Sequence, residues 1–328
     1  MSNGHPWPRV SIVTPSLNQA PFLEATIRSV VHQGYSSLEY FVFDGGSTDG
    51  SAEIIARYAD RLAGWVSRPD RGQADAINQG WQRSSGDILA YLNSDDLYQP
   101  EAIRRAATYL DEHPEVGIVY GACQVIDERG AALGGPRDMS DASLRRLLRS
   151  PLPQPTMFFR RWVFDRIGWL DPGLHCTMDW DLTLRAALSG IPIARLAGQP
   201  LAAVRVWRGA KTSSLFEQCL EESLRLRDRL LARPDLSREA ARAIERSKGT
   251  TFLWPAYEYY VRGEMAAARN LLHRAVRMRW LMALHPEFFG LYGRTWLGRS
   301  TSQAARRLRA RLRVGGGAGG WRSEPNPR

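Results

Sequence analysis

The run Tyr91-Leu92-Asn93-Ser94-Asp95-Asp96 follows directly on a segment that reads as a buried strand. Two adjacent carboxylates at a strand end repel each other and are hard to desolvate. A positive group belongs beside them, and a divalent cation is the simplest one. Mg²⁺ and Mn²⁺ take oxygen ligands and share them with substrate phosphates. The run is therefore a candidate site for a nucleoside-diphosphate substrate. The competing reading is an Asp-rich loop that turns the chain and caps the next helix. A second acidic pair, Asp179-Trp180-Asp181, leads into a helical pattern over Leu182 to Leu188. There, too, N-terminal capping favoured by the helix dipole is one reading.

Periodicity gives the elements that must hold these groups. Val10 to Thr14 is β-rich and stops at Pro15, with Asn18 and Pro21 as helix-start signals before Phe22 to Gln33. Leu38 to Phe43 reads as a strand that breaks at Asp44-Gly45-Gly46-Ser47-Thr48-Asp49-Gly50, and a helix follows from Ser51. Gly64 to Ser67 is a short strand, Ala74 to Arg83 a helix, Asp87 to Leu92 a strand and Val116 to Tyr120 another. Alternation with short connections predicts a mainly parallel α/β sheet covered on both faces. In such sheets ligands bind outside the carboxyl ends of the strands. Thr14 to Asn18, Asp44 to Asp49, Asp70 to Asp75 and Asn93 to Asp96 all fall there, so four polar clusters share one crevice.

The second half is less regular. Ser140 to Arg149 reads as a helix, Thr156 to Phe159 as a strand, and Ile191 to Trp207 as two short strands. Beyond Ser214 the pattern is helical to about Arg313, and the Gly-rich end from residue 314 reads as a disordered tail. The expected organisation is a tail over 1–8, an α/β domain over 9–214, a helical extension over 215–313 and a tail over 314–328.

The 328 residues, 44% of them hydrophobic, suffice for a full core. Three cysteines are too few and too scattered for a disulfide framework or a Cys-x-x-Cys metal site. A cytoplasmic setting is expected. The first nine residues lack the apolar core of a signal peptide, and no run of 18 apolar residues occurs to span a bilayer. The net charge of +10 is carried almost wholly by Arg. Between Phe288 and Ser323 there is no acidic residue while arginines accumulate from Arg294 to Arg322. Such a patch suits an anionic surface or is a solvated basic tail.

Val-Ser-Ile-Val-Thr-Pro-Ser-Leu-Asn from Val10, Phe-Asp-Gly-Gly-Ser-Thr-Asp-Gly-Ser from Phe43, Gly-Gln-Ala-Asp-Ala-Ile-Asn from Gly72 and Tyr-Leu-Asn-Ser-Asp-Asp from Tyr91 occur in that order. Together they resemble the family 2 glycosyltransferases, inverting enzymes of the GT-A fold that use nucleotide-diphospho-sugars. The resemblance covers Arg9 to about Ile103 closely and extends to about Trp207. It implies that Thr14 and Pro15 line the base pocket, with Asn18 in the same cluster, and that Asp44 accepts a hydrogen bond from the base. It implies that Arg71, Gly72 and Asp75 lie near the phosphates. The family's Asp-x-Asp metal motif stands here as Asn93-Ser94-Asp95-Asp96. Mg²⁺ or Mn²⁺ is then expected on Asp95, with Asp96 ligating or orienting, and Asn93 and Ser94 on the donor. By the same match Asp179 is the general base and Asp181 caps the helix or holds the site. Where family members carry a late His, this chain has Arg208-Gly-Ala-Lys211, so Lys211, with Arg208, is expected to meet the diphosphate. Gln154 is expected on the acceptor side.

The resemblance implies transfer of a sugar to a hydroxyl in cell-surface polysaccharide or glycolipid synthesis. The acceptor would be a glycan or a lipid-linked glycan. Aromatic residues beside Arg in the last helices suit the inner face of an anionic membrane, making the protein peripheral there, although helix packing explains them equally. No nucleic-acid partner is expected. Two other classes share these needs: a sugar-phosphate nucleotidyltransferase, disfavoured because Thr14 to Pro21 has no basic residue, and a non-catalytic nucleotide-sugar-binding scaffold.

Overall fold

The structure is a computed structural model that describes residues 7–207, 209–211 and 215–296. The chain forms two compact units, Met1–Ser214 and Leu215–Arg328. In the first, strand and helix alternate: β1 (Val10–Ser16), α1 (Ala20–Val31), β2 (Leu38–Asp44), α2 (Ser51–Ala56), β3 (Gly64–Ser67), α3 (Gln73–Arg83) and β4 (Ile88–Tyr91). Next come β5 (Leu97–Tyr98), α4 (Ala102–Glu112), β6 (Ile118–Gly121), β7 (Cys123–Ile126), α5 (Leu144–Leu147) and β8 (Phe158–Arg160). The unit closes with α6 (Arg161–Ile167), α7 (Met178–Leu188), β9 (Ile193–Leu196) and β10 (Ala202–Arg205).

Seven strands form the main sheet in the order β3-β2-β1-β4-β8-β6-β9. All pairings are parallel except those of β8, which is antiparallel to both neighbours. This is the α/β architecture the alternation predicts. Val10 and Ile12 of β1, Leu23 and Ile27 of α1, Ile88 of β4 and Ile103 of α4 are fully buried in one cluster. That burial holds the helices against the sheet. On β1, α3 packs so closely that a Cβ on Gly80 would lie 2.6 Å from Val13 Cγ2. The helix that carries Gln73 and Asp75 therefore has its distance from β1 set by a missing side chain.

Pro15 does not end β1, which continues to Ser16 paired with β2. Pairing with β4 ends at Val13↔Tyr91, and Val13 O accepts from Leu92 N at 3.0 Å. Two residues on, Pro15 turns the same edge toward a side where the ladder has stopped, so its missing N–H leaves nothing unpaired. The helix expected over 140–149 is only the single turn of α5. Asp141 accepts from Ser143 N at 3.0 Å and Ser143 from Arg146 N at 3.3 Å. These local bonds occupy the backbone ahead of the helix. The second sheet, β5-β10-β7, has no counterpart in the sequence reading, apart from β10 itself. Strands as short as Leu97–Tyr98, paired with residues a hundred positions away, leave no period to read.

In the second unit α8 (Phe216–Leu231), α9 (Arg238–Thr250), α10 (Leu253–Arg262) and α11 (Met265–Met278) are followed by a 3₁₀ turn over Trp280–Leu284 and a helix, α12, over residues 286–296. Gly263 ends α10 at φ +88°, and Glu264 N donates to Tyr259 O at 2.8 Å and Gly263 N to Tyr260 O at 3.1 Å. That closes the helix in a left-handed cap that glycine adopts without strain. Phe252, Leu272, Met282 and Leu291 lie in its core. Trp280, Leu284, Phe289 and Trp296 are 66–74% exposed. No helix among the described residues is long and apolar enough to cross a membrane. Residues 1–6 and the expected tail over 314–328, with the arginines from Arg299 onward, lie outside the described residues, while Trp7 and Pro8 of the expected first tail meet Tyr35.

Candidate active site

The carboxyl ends of β1, β2 and β4 deliver the loops that the sequence marks. Asp44 closes β2 and is 2% exposed. Its Oδ2 accepts from Ser67 Oγ at 2.7 Å, Ser47 N at 2.9 Å and Gly46 N at 3.2 Å, and its Oδ1 from the Ser47 hydroxyl. The carboxylate thus makes the Asx-turn that its type permits, and Oδ1 keeps lone-pair capacity. Thr14 is fully buried and its hydroxyl pairs with Tyr40 OH at 2.9 Å. Its side chain therefore faces the core rather than a pocket, and Pro15 beside it is buried too. Asn18, at φ +53°, accepts from Thr48 N at 2.9 Å, and its own N–H reaches Ser47 Oγ at 2.7 Å. It ties the loop after β1 to the loop after β2. A Cβ on Gly45 would meet Asp70 Oδ2 at 3.1 Å and one on Gly46 would meet Pro69 at 3.1 Å. The glycine pair lets the third loop close on the second.

That third loop leads into α3. Gly72 stands at φ +109° before Gln73. Asp75 is buried and accepts from Arg71 Nη2 at 2.8 Å and Gln79 Nε2 at 2.8 Å. The Arg71 guanidinium is the main cause holding the Asp75 carboxyl below its usual range. Arg71 itself is 82% exposed along its side chain, with its remaining donors toward solvent.

The acidic loop is stapled from β10. Arg205, 7% exposed, donates from its backbone N to Asp96 Oδ1 at 2.9 Å and from Nε to Asp95 O at 2.9 Å. Its guanidinium lies 4.9 Å from the Phe22 ring centroid. Trp207 Nε1 donates to Asp95 Oδ2 at 2.9 Å, and Thr26 Oγ1 to Ser94 O at 2.9 Å and Asp96 O at 2.8 Å. Part of the positive charge that the acidic pair demands is thus Arg205, which sequence reasoning did not identify. Nothing local in Ala203-Val204-Arg205-Val206-Trp207 marks it. Asp96 is 2% exposed, and burial, then the neighbouring Asp95, hold its carboxyl well above the usual range. Asp95 is half-buried.

Among the described residues no group of three or more His, Cys, Asp or Glu is arranged to hold a metal ion. The two carboxylates nevertheless fit one. Asp95 has one oxygen fixed by Trp207 and keeps another, and Asp96 is held by Arg205 N and the Asn93 side chain, which suits a hard cation bound chiefly through one carboxylate with the rest of its shell from phosphates and water.

Across the crevice Asp179 lies in the first turn of α7, which begins at Met178, earlier than the pattern suggests. Its Oδ1 accepts from Trp180 N at 2.8 Å, and Trp180 is anchored by Nε1 to Leu147 O at 2.6 Å. Asp181 is buried in an ion pair with Arg185 at 2.7 Å, and Arg185 also donates to the carbonyls of Ile167, Gly168 and Trp169. Asp181 holds the helix. The Tyr91 hydroxyl is buried without a hydrogen-bond partner. Burial, then the charges of Asp179 and Asp96, push its ionisation far above the usual phenol range. The charges of both carboxylates act on this one buried phenol. Lys211 Nζ donates to Gln73 Oε1 at 2.7 Å and His175 O at 3.0 Å, between α3 and the segment before Asp179. Asn93 meets Gln73 and Gln154 by its side-chain amide. Arg208 lies outside the described residues.

The family model described as Glycosyl transferase family 2 matches residues 11–168. A PGL/p-HBAD biosynthesis glycosyltransferase of Mycobacterium bovis is 31% identical over 182 residues, 54% of this chain and 69% of that protein. An uncharacterized glycosyltransferase of Mycobacterium tuberculosis is 33% identical over 190 residues, 57% and 71% of the two chains. Among solved structures, S. aureus TarS 1-349 in complex with UDP-GlcNAc aligns with TM-score 0.65 over 92% of each chain at 17% identity. A mannosyltransferase from Pyrobaculum calidifontis in complex with GDP-Man and Mn²⁺ aligns with TM-score 0.57 over 89% and 88% at 18% identity. On the ordered motifs, the strand-end loops and these matches, the chain belongs to glycosyl transferase family 2 and has the GT-A fold.

Proposed function

We propose that the protein transfers a sugar, with inversion, from a nucleotide-diphospho-sugar to a hydroxyl of a glycan or lipid-linked glycan. The observation that carries this reading is that Lys211 bonds both Gln73 and His175 O, and Gln73 bonds Asn93, which joins the segment before Asp179 to the acidic loop. Asp179 takes the acceptor proton as that oxygen attacks the anomeric carbon, and the nucleoside diphosphate leaves from the opposite face. Asp44 offers the spare capacity of Oδ1 to the base, at a turn that Asn18 braces. Pro15 and the Thr14 backbone form the floor. Arg71 and Gly72, at the start of α3, face the phosphates with Lys211, and Asp75 orients Arg71. Ser94 and Asn93 shape the loop under the donor. Asp95 and Asp96 would hold Mg²⁺ or Mn²⁺, which when bound supplies positive charge for the departing diphosphate.

A panel of UDP-, GDP- and dTDP-sugars, scored by thermal shift with Mn²⁺ or Mg²⁺, tests this. One donor class is expected to raise Tm by several degrees, and only with metal. A flat panel at millimolar ligand would sink the reading.

Synthesis of cell-surface polysaccharide or glycolipid is the proposed context, supported by the mycobacterial relatives named for PGL/p-HBAD biosynthesis. The second unit supports a cytoplasmic protein peripheral on the inner membrane face. Its exposed Trp280, Leu284 and Phe289 lie near exposed Arg277 and ahead of the Arg-rich end of the chain. The full chain is expected to float with anionic liposomes, and Trp280→Ser/Phe289→Ser to reduce this severalfold. Absence of flotation by the unaltered chain ends the membrane proposal.

A further inference from the structure

Four hydrogen bonds join separate segments of the first unit end to end. Lys211 Nζ donates to Gln73 Oε1 at 2.7 Å, and Gln73 Nε2 donates to Asn93 Oδ1 at 2.6 Å. Asn93 Nδ2 then donates to Gln154 Oε1 at 3.1 Å, and Gln154 Nε2 to Tyr91 O at 3.0 Å. Three side-chain amides are thereby threaded between an ammonium and a backbone carbonyl. An ammonium only donates and a carbonyl only accepts, so both ends impose the same sense on every amide between them. No amide can be turned over without setting two donors or two acceptors face to face.

We infer that Gln73, Asn93 and Gln154 form a one-way hydrogen-bond chain, poled by Lys211, that fixes the loop presenting Asp95. They are positioning residues, and the functional half of this inference rests on the donor-site reading above. The chain requires an amide rather than a carboxylate at position 93, as does the bond its side chain makes to Asp96. Asn93 must accept on one side, from Gln73, and donate on the other, to Gln154. A carboxylate can only accept. Gln154 Oε1 would then face a second acceptor, or, if Gln154 turned over, the same conflict would move to Tyr91 O. The chain also ties the residue after β10 that bears the ammonium to the loop after β4. Placement of Lys211 and placement of Asp95 are thus one event.

Asn93→Asp, Gln154→Lys and the double variant test this in the full-length protein. Within the chain each single change leaves one like-to-like contact, and Asn93→Asp also gives up the side-chain bond to Asp96. Asn93→Asp puts the like-to-like contact at Gln154, and Gln154→Lys passes it back through Asn93 and Gln73 to Lys211. Combined, the introduced ammonium donates both to the introduced carboxylate and to Tyr91 O, and the conflict disappears. Each single variant is expected to lose about 3–10 °C in Tm and about tenfold or more in kcat. The double variant should exceed Asn93→Asp in each measure and lose less than the two singles summed. A double variant no better than Asn93→Asp, or an Asn93→Asp protein with unchanged Tm, overturns the chain. If Asn93→Asp alone fails to fold, a folded double variant supports the chain and an unfolded one overturns it. The Tm comparison needs no donor. It therefore decides the chain even if the transfer reading fails, whereas a Tm rescue without a kcat rescue rejects only the positioning role.

Discussion

Asp179→Asn is expected to lower kcat by about 10²–10⁴-fold, the range that loss of a general base produces, and to leave donor binding within about threefold. The substitution keeps size and shape. An Asn oxygen can still accept from Trp180 N, as Oδ1 does at 2.8 Å, and losing the charge in the first turn of α7 costs only about 0.3–1 kcal/mol of helix-dipole stabilisation. The buried Asp181–Arg185 pair two residues on keeps α7 in place. What disappears is the ability to take a proton from the acceptor hydroxyl. Steady-state kinetics and donor titration together separate an enzyme from a binding scaffold. Turnover within threefold of the unaltered protein would remove Asp179 from the mechanism.

Chelation of the divalent metal is expected to abolish turnover, and Asp95→Asn to cut kcat by roughly 10²–10³-fold, comparable to removing one preorganised electrostatic contact to a developing charge. Asp95 is the more accessible of the two carboxylates, and Asn at this position retains an acceptor for Trp207 Nε1. The loop also remains held by Arg205 and Thr26. The loss is therefore assigned to charge rather than to unfolding, and the Mn²⁺ concentration for half-activation should rise alongside. Full activity in the presence of a chelator would show that Arg71 and Lys211 carry the diphosphate without a cation.

The parallel sheet and the converging loops were legible because hydrophobic runs alternate with helical patterns and Gly- or Asp-rich breaks mark each strand end. Asp44, Asp75, Asp95 and Asp179 were found as types in place. Their partners were not. Arg205 and Trp207 reach the acidic loop across more than a hundred residues, and Gln73 to Gln154 spans a comparable gap through Asn93. Such pairings depend on β10 being paired with β5 and on the turn at Gln154 being laid against β4, which no local period encodes. Thr14 shows the opposite limit. Its place in a motif implies a base-pocket contact, and the alternation of β1, which turns its hydroxyl to Tyr40, leaves only its backbone for such a contact.

The reversed strand β8 has a consequence for how this chain is made. It fills the gap between β4 and β6, bonding Leu89 to Phe159 on one edge and Val119 to Phe158 on the other. Roughly 70 residues separate Tyr91 from Phe158, which at about 5–20 residues per second takes a ribosome some 4–14 s. For that interval the strand Ile88–Tyr91, fully buried in the finished fold, has emerged while its neighbour has not. The nascent chain carries an open, sticky strand edge next to the future donor site. Slow translation or crowded expression between these two points is where the protein is most exposed to aggregation.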